Sequence, residues 1–238
     1  MDNDRPGDSG PDLGLRLGPA EFIKANMRLV PVPALPEIRF YTAHSGSGLR
    51  RLVDPEGDTD DGRPEPQPPY WAYAWAGGAV LARYILDNPS TVTGRRVLDL
   101  GAGSGIVGIA AAKAGARTVI AAEIDRNGIA AIGLNAAANG VAIIAVGDDV
   151  TKGAPPAVDM VLAGDVFYGQ DVARRVMPFL DRCRAAGIEV LVGDPGRAYL
   201  PRSRLRLVAE HQVPDFGDAK GAATKPSSVF RFDAGSGG

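Results

Sequence analysis

The stretch Val97-Leu98-Asp99-Leu100-Gly101-Ala102-Gly103-Ser104-Gly105 constrains this chain more than any other. An apolar run carrying one acid breaks into three glycines two residues apart, then re-enters helix-like sequence at Ile106-Val107-Gly108-Ile109-Ala110-Ala111-Ala112. That order predicts a buried strand, a tight loop and a helix. Glycines so spaced let the backbone turn sharply and let a ligand approach main-chain amides and the helix N-terminus without Cβ interference. The stretch is therefore read as a nucleotide-type cofactor site.

The sequence beyond it repeats the same alternation. Apolar strands are expected at 96–100, 117–122, 141–146, 158–163 and 187–192, with helices at 104–114, 126–138 and 170–186. Near-continuous apolar strands alternating with helices imply a parallel sheet covered on both faces. Two further strands, 205–210 and 228–232, have no helix signal between them and should close the sheet as an antiparallel pair. The fold class is thus α/β, a single doubly wound and mostly parallel sheet with an N-terminal extension. A length of 238 residues suits one such domain with decoration.

Residues 1–18 are rich in Gly, Pro and Asp and are expected to be a flexible tail. The extension, 19–95, carries a short helix near Phe22, Ile23 and Met27, then a proline-rich extended segment at 29–36 and a strand at 38–43. A breaker-rich loop follows from Ser45 to Pro69. The aromatic segment Pro69-Tyr70-Trp71-Ala72-Tyr73-Ala74-Trp75-Ala76-Gly77-Gly78 leads into an apolar helix at 80–86. Gly77 and Gly78 would let that segment fold closely over a ligand. The core is expected to run from 96 to 238.

Composition excludes several classes. A formal charge of -2 gives no reason to expect nucleic acid or an anionic membrane as partner. One cysteine, Cys183, rules out an internal disulfide framework and a cysteine-built zinc cluster, and His44 and His211 are far apart, so no metal site is expected. No apolar run reaches the roughly 18 residues of a membrane span, and the N-terminus has no secretory pattern. A cytoplasmic protein is expected.

Candidate site residues fall at the ends of the expected strands, where ligands of open α/β sheets bind. Gly103, Gly105 and Gly108 fit a dinucleotide register, so a nicotinamide enzyme competes at this point. Asp99, placed before glycines that begin at Gly101, gives instead the pattern of S-adenosylmethionine enzymes, with Gly101, Ala102, Gly103 and Gly105 as the cradle. Glu123 ends the second strand about 20 residues on, where a carboxylate can accept both ribose hydroxyls. Asp125 is read as a helix cap. Asp148 or Asp149, ending the third strand, could receive an adenine amino group. Asp165, after the fourth strand, points at the reaction cleft beside Phe167 and Tyr168. Trp71 and Trp75 belong to the core or to the ligand cover, and Gly193-Asp194-Pro195-Gly196-Arg197 is a turn or a substrate entrance.

Taken in order, Pro36-Glu37-Ile38-Arg39, Trp71-Ala72 with Trp75 and Gly77-Gly78, and Leu86-Asp87-Asn88-Pro89 carry a resemblance. With them go Val97 to Gly101, Ile124-Asp125, Gly164-Asp165-Val166-Phe167-Tyr168 and Gly193 to Arg197. The set resembles the seven-stranded, Rossmann-like class I S-adenosylmethionine-dependent protein-lysine methyltransferases with an Asp-x-x-Tyr-type motif. Within these it is most similar to the electron transfer flavoprotein β-subunit lysine methyltransferases. The resemblance implies transfer of up to three methyl groups from S-adenosyl-L-methionine to lysines of that protein partner. It places Asp165 at the target lysine, Trp75 and the Gly101–Gly105 loop on the cofactor, and Glu123 at its ribose. Asp165, Phe167 and Tyr168 are the expected catalytic group, with Trp71 completing an aromatic wall. Ala76 and Gly169 depart from the family pattern, which has Pro and an acid there. A small-molecule N-methyltransferase and a catalytically silent binding module remain as alternatives.

Overall fold

Seven strands form one sheet in the order β5-β4-β3-β6-β7-β9-β8. They are β3 (Arg96–Leu100), β4 (Thr118–Ala122), β5 (Ile144–Val146), β6 (Met160–Gly164), β7 (Glu189–Asp194), β8 (Leu205–Pro214) and β9 (Thr224–Phe232). The first five pair in parallel, while β9 runs antiparallel to both β7 and β8 and lies between them. The computed structural model describes residues 17–52, 68–214 and 224–233. Most of the expected tail at 1–18 and much of the expected loop at 45–69 lie outside the described residues.

The expected helices are α3 (Ile106–Lys113), α4 (Arg126–Ala138) and α5 (Gln170–Ala185). Side chains alternate between the two faces of the sheet. Val97, Val119, Met160, Leu162 and Leu191 join the core under α3 and the preceding helix α2 (Ala76–Asp87), whereas Leu98, Val161, Ala163, Val190 and Val192 meet α5. Helix α5 answers with Val176, Phe179, Leu180 and Cys183, all buried and spaced as one helical stripe. Completely burying one such aliphatic or aromatic side chain is worth about 1.5–3 kcal/mol.

The structure departs from expectation in three places, two of them in the N-terminal extension. The proline-rich segment is not merely extended: β1 (Arg28–Val32) and β2 (Leu35–Thr42) form a separate antiparallel hairpin, turning through Ala34 at φ 63°. It follows α1 (Pro19–Asn26) and docks on α4. There Asn135 and Asn139, one helical turn apart, accept the backbone N–H groups of Tyr41 and Arg39 at 2.8 and 3.0 Å. Next, α2 begins at Ala76 rather than near 80, so Gly77 and Gly78 lie in its first turn. Their missing side chains serve the contact between this helix and the sheet, while Tyr70, Trp71 and Trp75 of the same segment line the cleft. A Cβ on Gly77 would lie 2.3 Å from the Gly193 carbonyl oxygen, and one on Gly164 would lie 2.7 Å from Cα of Gly78. The helix N-terminus therefore rests backbone on backbone against the ends of β6 and β7, which only glycine permits. Finally, β5 is short, because Val141 and Ile143 leave the strand line to pack on the α2–α3 core.

Candidate active site

Strand β3 has β4 on one side and β6 on the other, so the chain reverses its direction of winding there. In open α/β sheets a crevice forms at such a switch point, outside the carboxyl ends of the strands. A cleft of about 340 Å³ opens at this place. Its walls include Gly101, Gly103, Glu123, Asp148, Asp149, Asp165 and Tyr168, together with Tyr70, Trp71, Trp75 and Arg197.

The glycine loop has φ of 64°, 53° and 79° at Gly101, Gly103 and Gly105, a left-handed path that Cβ-bearing residues rarely follow. Gly101 and Gly103 reach the cleft. Ala102 and Gly105 do not: the Ala102 amide is spent on the Ala122 carbonyl, and Gly105 caps α3 against Ile132. Asp99 is also corrected from ligand contact to support. It is buried beneath the loop and accepts the Gly108 N–H at 2.8 Å, tying β3 to the first turn of α3. Burial raises its pKa to about 7, against the pull of that N–H, with the Glu123 charge raising it further.

Glu123 stands where the sequence placed it. Its Oε2 accepts the Gly103 N–H at 2.8 Å and its Oε1 the Asp125 N–H at 2.9 Å. Burial raises its pKa, with those two amides opposing. Each carboxylate oxygen keeps a second acceptor direction, which suits a vicinal diol. Gly128 on α4 makes room for it, since a Cβ there would meet Glu123 Cγ at 2.7 Å. Asp125 caps α4 through Asn127 N–H, as its position suggested. Asp148 and Asp149 both line the cleft; Asp149 also holds a short helical turn at Val150–Lys152, and its pKa lies below the usual value because the Thr151 hydroxyl and amide outweigh desolvation.

On the reaction side, Asp165 sits at φ 59°, a strained conformation for a residue with a side chain and one often found at functional sites. Its Oδ2 accepts the Gly77 N–H at 2.7 Å, near the positive N-terminus of α2, and its Oδ1 accepts Nε of Arg197 at 2.6 Å. Tyr168 lines the cleft and meets the Tyr70 ring at 5.2 Å; Tyr70 in turn meets Trp75 edge-on at 5.6 Å. Phe167 is not part of this wall. It is fully buried in the α5 core, together with Val166, and only Tyr168 of the pair reaches the aromatic wall. Trp71 is buried and forms the cleft floor beside α4, so it packs and lines at once.

Tyr70 was not singled out from the sequence as a site residue, and Arg197 only as part of a loop read as a turn or a substrate entrance. A single arginine in a Gly-Pro loop at the carboxyl end of a strand was the available signal. Asp194 shapes that loop: its Oδ1 accepts the N–H groups of Gly196 and Arg197 at 2.6 and 2.7 Å. Burial and the Asp165 charge raise the Asp194 pKa to about 6, against those amides and the Arg197 charge.

The chain is similar to known methyltransferases along most of its length. Residues 81–164 match the family of ribosomal protein L11 methyltransferases (PrmA). An electron transfer flavoprotein beta subunit lysine methyltransferase of Xenopus laevis is 34% identical over 224 residues, covering 90% of this chain and 87% of the relative. The Danio rerio protein of that name is 38% identical over 171 residues, 69% of this chain and 66% of the relative. Among solved structures, the ribosomal protein L11 methylase of Lactobacillus delbrueckii superposes with a TM-score of 0.50 at 21% identity, covering 68% of this chain and 81% of that one. That likeness speaks for the fold.

Proposed function

This chain belongs to the electron transfer flavoprotein beta subunit lysine methyltransferase family, and from that premise we propose that it transfers methyl groups from S-adenosyl-L-methionine to lysines of an electron transfer flavoprotein β subunit. The observation that carries the reading is Asp165. It is a nearly buried carboxylate at the switch-point cleft, walled by Tyr70, Trp75 and Tyr168 and separated from the diol-competent Glu123 by the Gly101–Gly103 turn.

The residues fit the donor. Gly101 and Gly103 give backbone access, Glu123 offers two acceptors for a ribose, and Asp148 or Asp149 can take an exocyclic amine. When bound, S-adenosyl-L-methionine supplies a methyl group already activated on a sulfonium, so the protein's work is positioning and water exclusion. Asp165 binds the incoming ammonium by charge-assisted hydrogen bonds and sets its direction. A carboxylate is far too weak a base to deprotonate a lysine outright, and the proton leaves to water before the amine attacks. The Trp75 ring, with Tyr70 and Tyr168 lining the cleft beside it, accommodates a cation that grows more apolar with each methyl, which permits repeated transfer.

The test is incubation of the purified chain with labelled S-adenosyl-L-methionine and the β subunit, read by peptide mass spectrometry. Label is expected on lysine, up to the trimethyl form. Asp165→Ala should bind S-adenosyl-L-homocysteine as before and, by losing the positioning of the amine, fall about 100-fold or more in transfer. Label confined to small molecules would overturn the substrate assignment, and full activity of the variant would remove Asp165 from the reaction.

A further inference from the structure

The corner built to receive a lysine ammonium already holds a cation of the chain itself. Arg197 donates Nε–H to Oδ1 of Asp165 at 2.6 Å, and its guanidinium carbon lies 5.9 Å from the centre of the Trp75 ring. A carboxylate on one side and an aromatic face on the other is the environment the proposed reaction requires for its substrate. The Asp165 side chain is 8% exposed and that of Arg197 27%, so the arginine lies on the solvent side of the acid. Its backbone is pinned, since Asp194 accepts the N–H groups of Gly196 and Arg197, while the side chain beyond Cα is long and rotatable.

We propose that Arg197 is a placeholder cation, occupying the ammonium position between Asp165 and Trp75, and that the substrate lysine enters by exchanging with it. The proposal rests on lysine as the substrate class. Exchange keeps the nearly buried Asp165 charge compensated at every stage, where an uncompensated carboxylate would be costly. It also favours product departure. A trimethylated ammonium has no N–H to donate, so it holds Asp165 less well than the returning guanidinium does. A purely structural Arg197, there only to hold Asp165 in place, would give no advantage to an incoming amine on its removal.

The probe is n-butylamine, a lysine side chain without its backbone, titrated into the full chain without cofactor. Both tryptophans of the sequence, Trp71 and Trp75, line the cleft, so tryptophan fluorescence reads that site. Arg197→Gln is expected to bind the amine roughly tenfold more tightly than wild type, and Arg197→Lys, which keeps a cation there, to stay near wild type. Equal or weaker binding by Arg197→Gln would overturn the exchange. Wild-type protein provides a second measurement that needs no variant: modification of Arg197 by phenylglyoxal, followed by peptide mass spectrometry. Saturating n-butylamine should accelerate it relative to the other arginines of the chain, which correct for reagent consumed by the amine, and an unchanged or lowered ratio would overturn the proposal. Neither assay involves methyl transfer. Failure of exchange with β-subunit methylation intact would sink this inference alone, and exchange without protein methylation would sink the substrate assignment alone.

Discussion

Gly193→Ala tests whether the site depends on backbone contact between α2 and the sheet. A Cβ at this position would lie 2.1 Å from the Gly77 carbonyl oxygen and 2.7 Å from Cβ of Leu81, where ordinary contact begins near 3.4 Å. The helix must retreat by roughly 1 Å. Neither obstacle is a flexible side-chain end, so the cost belongs at the upper side of overpacking, about 3 kcal/mol. For a chain of this size that corresponds to a fall in melting temperature of about 6–12 °C. Gly133→Ala is the matched control: it lies within α4, nothing stands within 4 Å of its added Cβ, and it should gain about 0.5–1 kcal/mol. The retreat also draws the Gly77 N–H away from Asp165, now 2.7 Å from it, so methyl transfer should fall by more than cofactor affinity. Thermal and urea unfolding of both variants, with calorimetric binding of S-adenosyl-L-homocysteine, measures all of this. A Gly193→Ala protein melting within 2 °C of wild type would refute the reasoning.

Glu123→Ala removes two acceptors for the ribose and leaves the Gly103 N–H without its partner, so affinity for S-adenosyl-L-homocysteine should drop by about 10–100-fold in calorimetry, and a twofold change or less would count against the assignment. For Asp99, whose pKa of about 7 in the fold exceeds its ordinary carboxylate value, the native state holds a proton that the unfolded chain has lost. Stability should therefore fall as pH rises from about 4 to 7 and level off above, by an upper bound of about 4 kcal/mol. Asp99→Asn, which keeps an acceptor for the Gly108 N–H, should make the decline shallower, leaving the part that Glu123 and Asp194 contribute with the same sign; urea midpoints between pH 5 and 8 that decline in parallel for both proteins would contradict it.

The residues around the cleft show what a sequence can and cannot carry. Alternating strands and helices fix a parallel sheet, and in such a sheet every strand delivers its last residue to the same edge. That is why Glu123, Asp148, Asp149 and Asp165, lying some 20 to 65 residues past the glycine loop, could be placed together from their positions after strands. The loop glycines were legible for a local reason, since a tight left-handed turn needs them whatever surrounds it.

Other features depend on partners distant in the chain. Phe167 and Tyr168 are neighbours of similar chemistry, yet the α5 core takes the first and the cleft takes the second; only packing could separate them. Gly77 and Gly78 were read as room for a ligand beneath the aromatic segment, but what they touch, Gly164 and Gly193, lies over 85 residues away and could not be read from the chain. Asp99 seemed to belong to the ligand because it adjoins the glycines, and burial turned it inward to hold α3. The last strand could be read as half of a pair, but its insertion between β7 and β8 was decided by the sheet. Asp165 was legible as a cleft acid by its strand. That it meets Arg197 required the ends of β6 and β7 to be brought side by side, because an ion pair between two loops is a property of their distance in space.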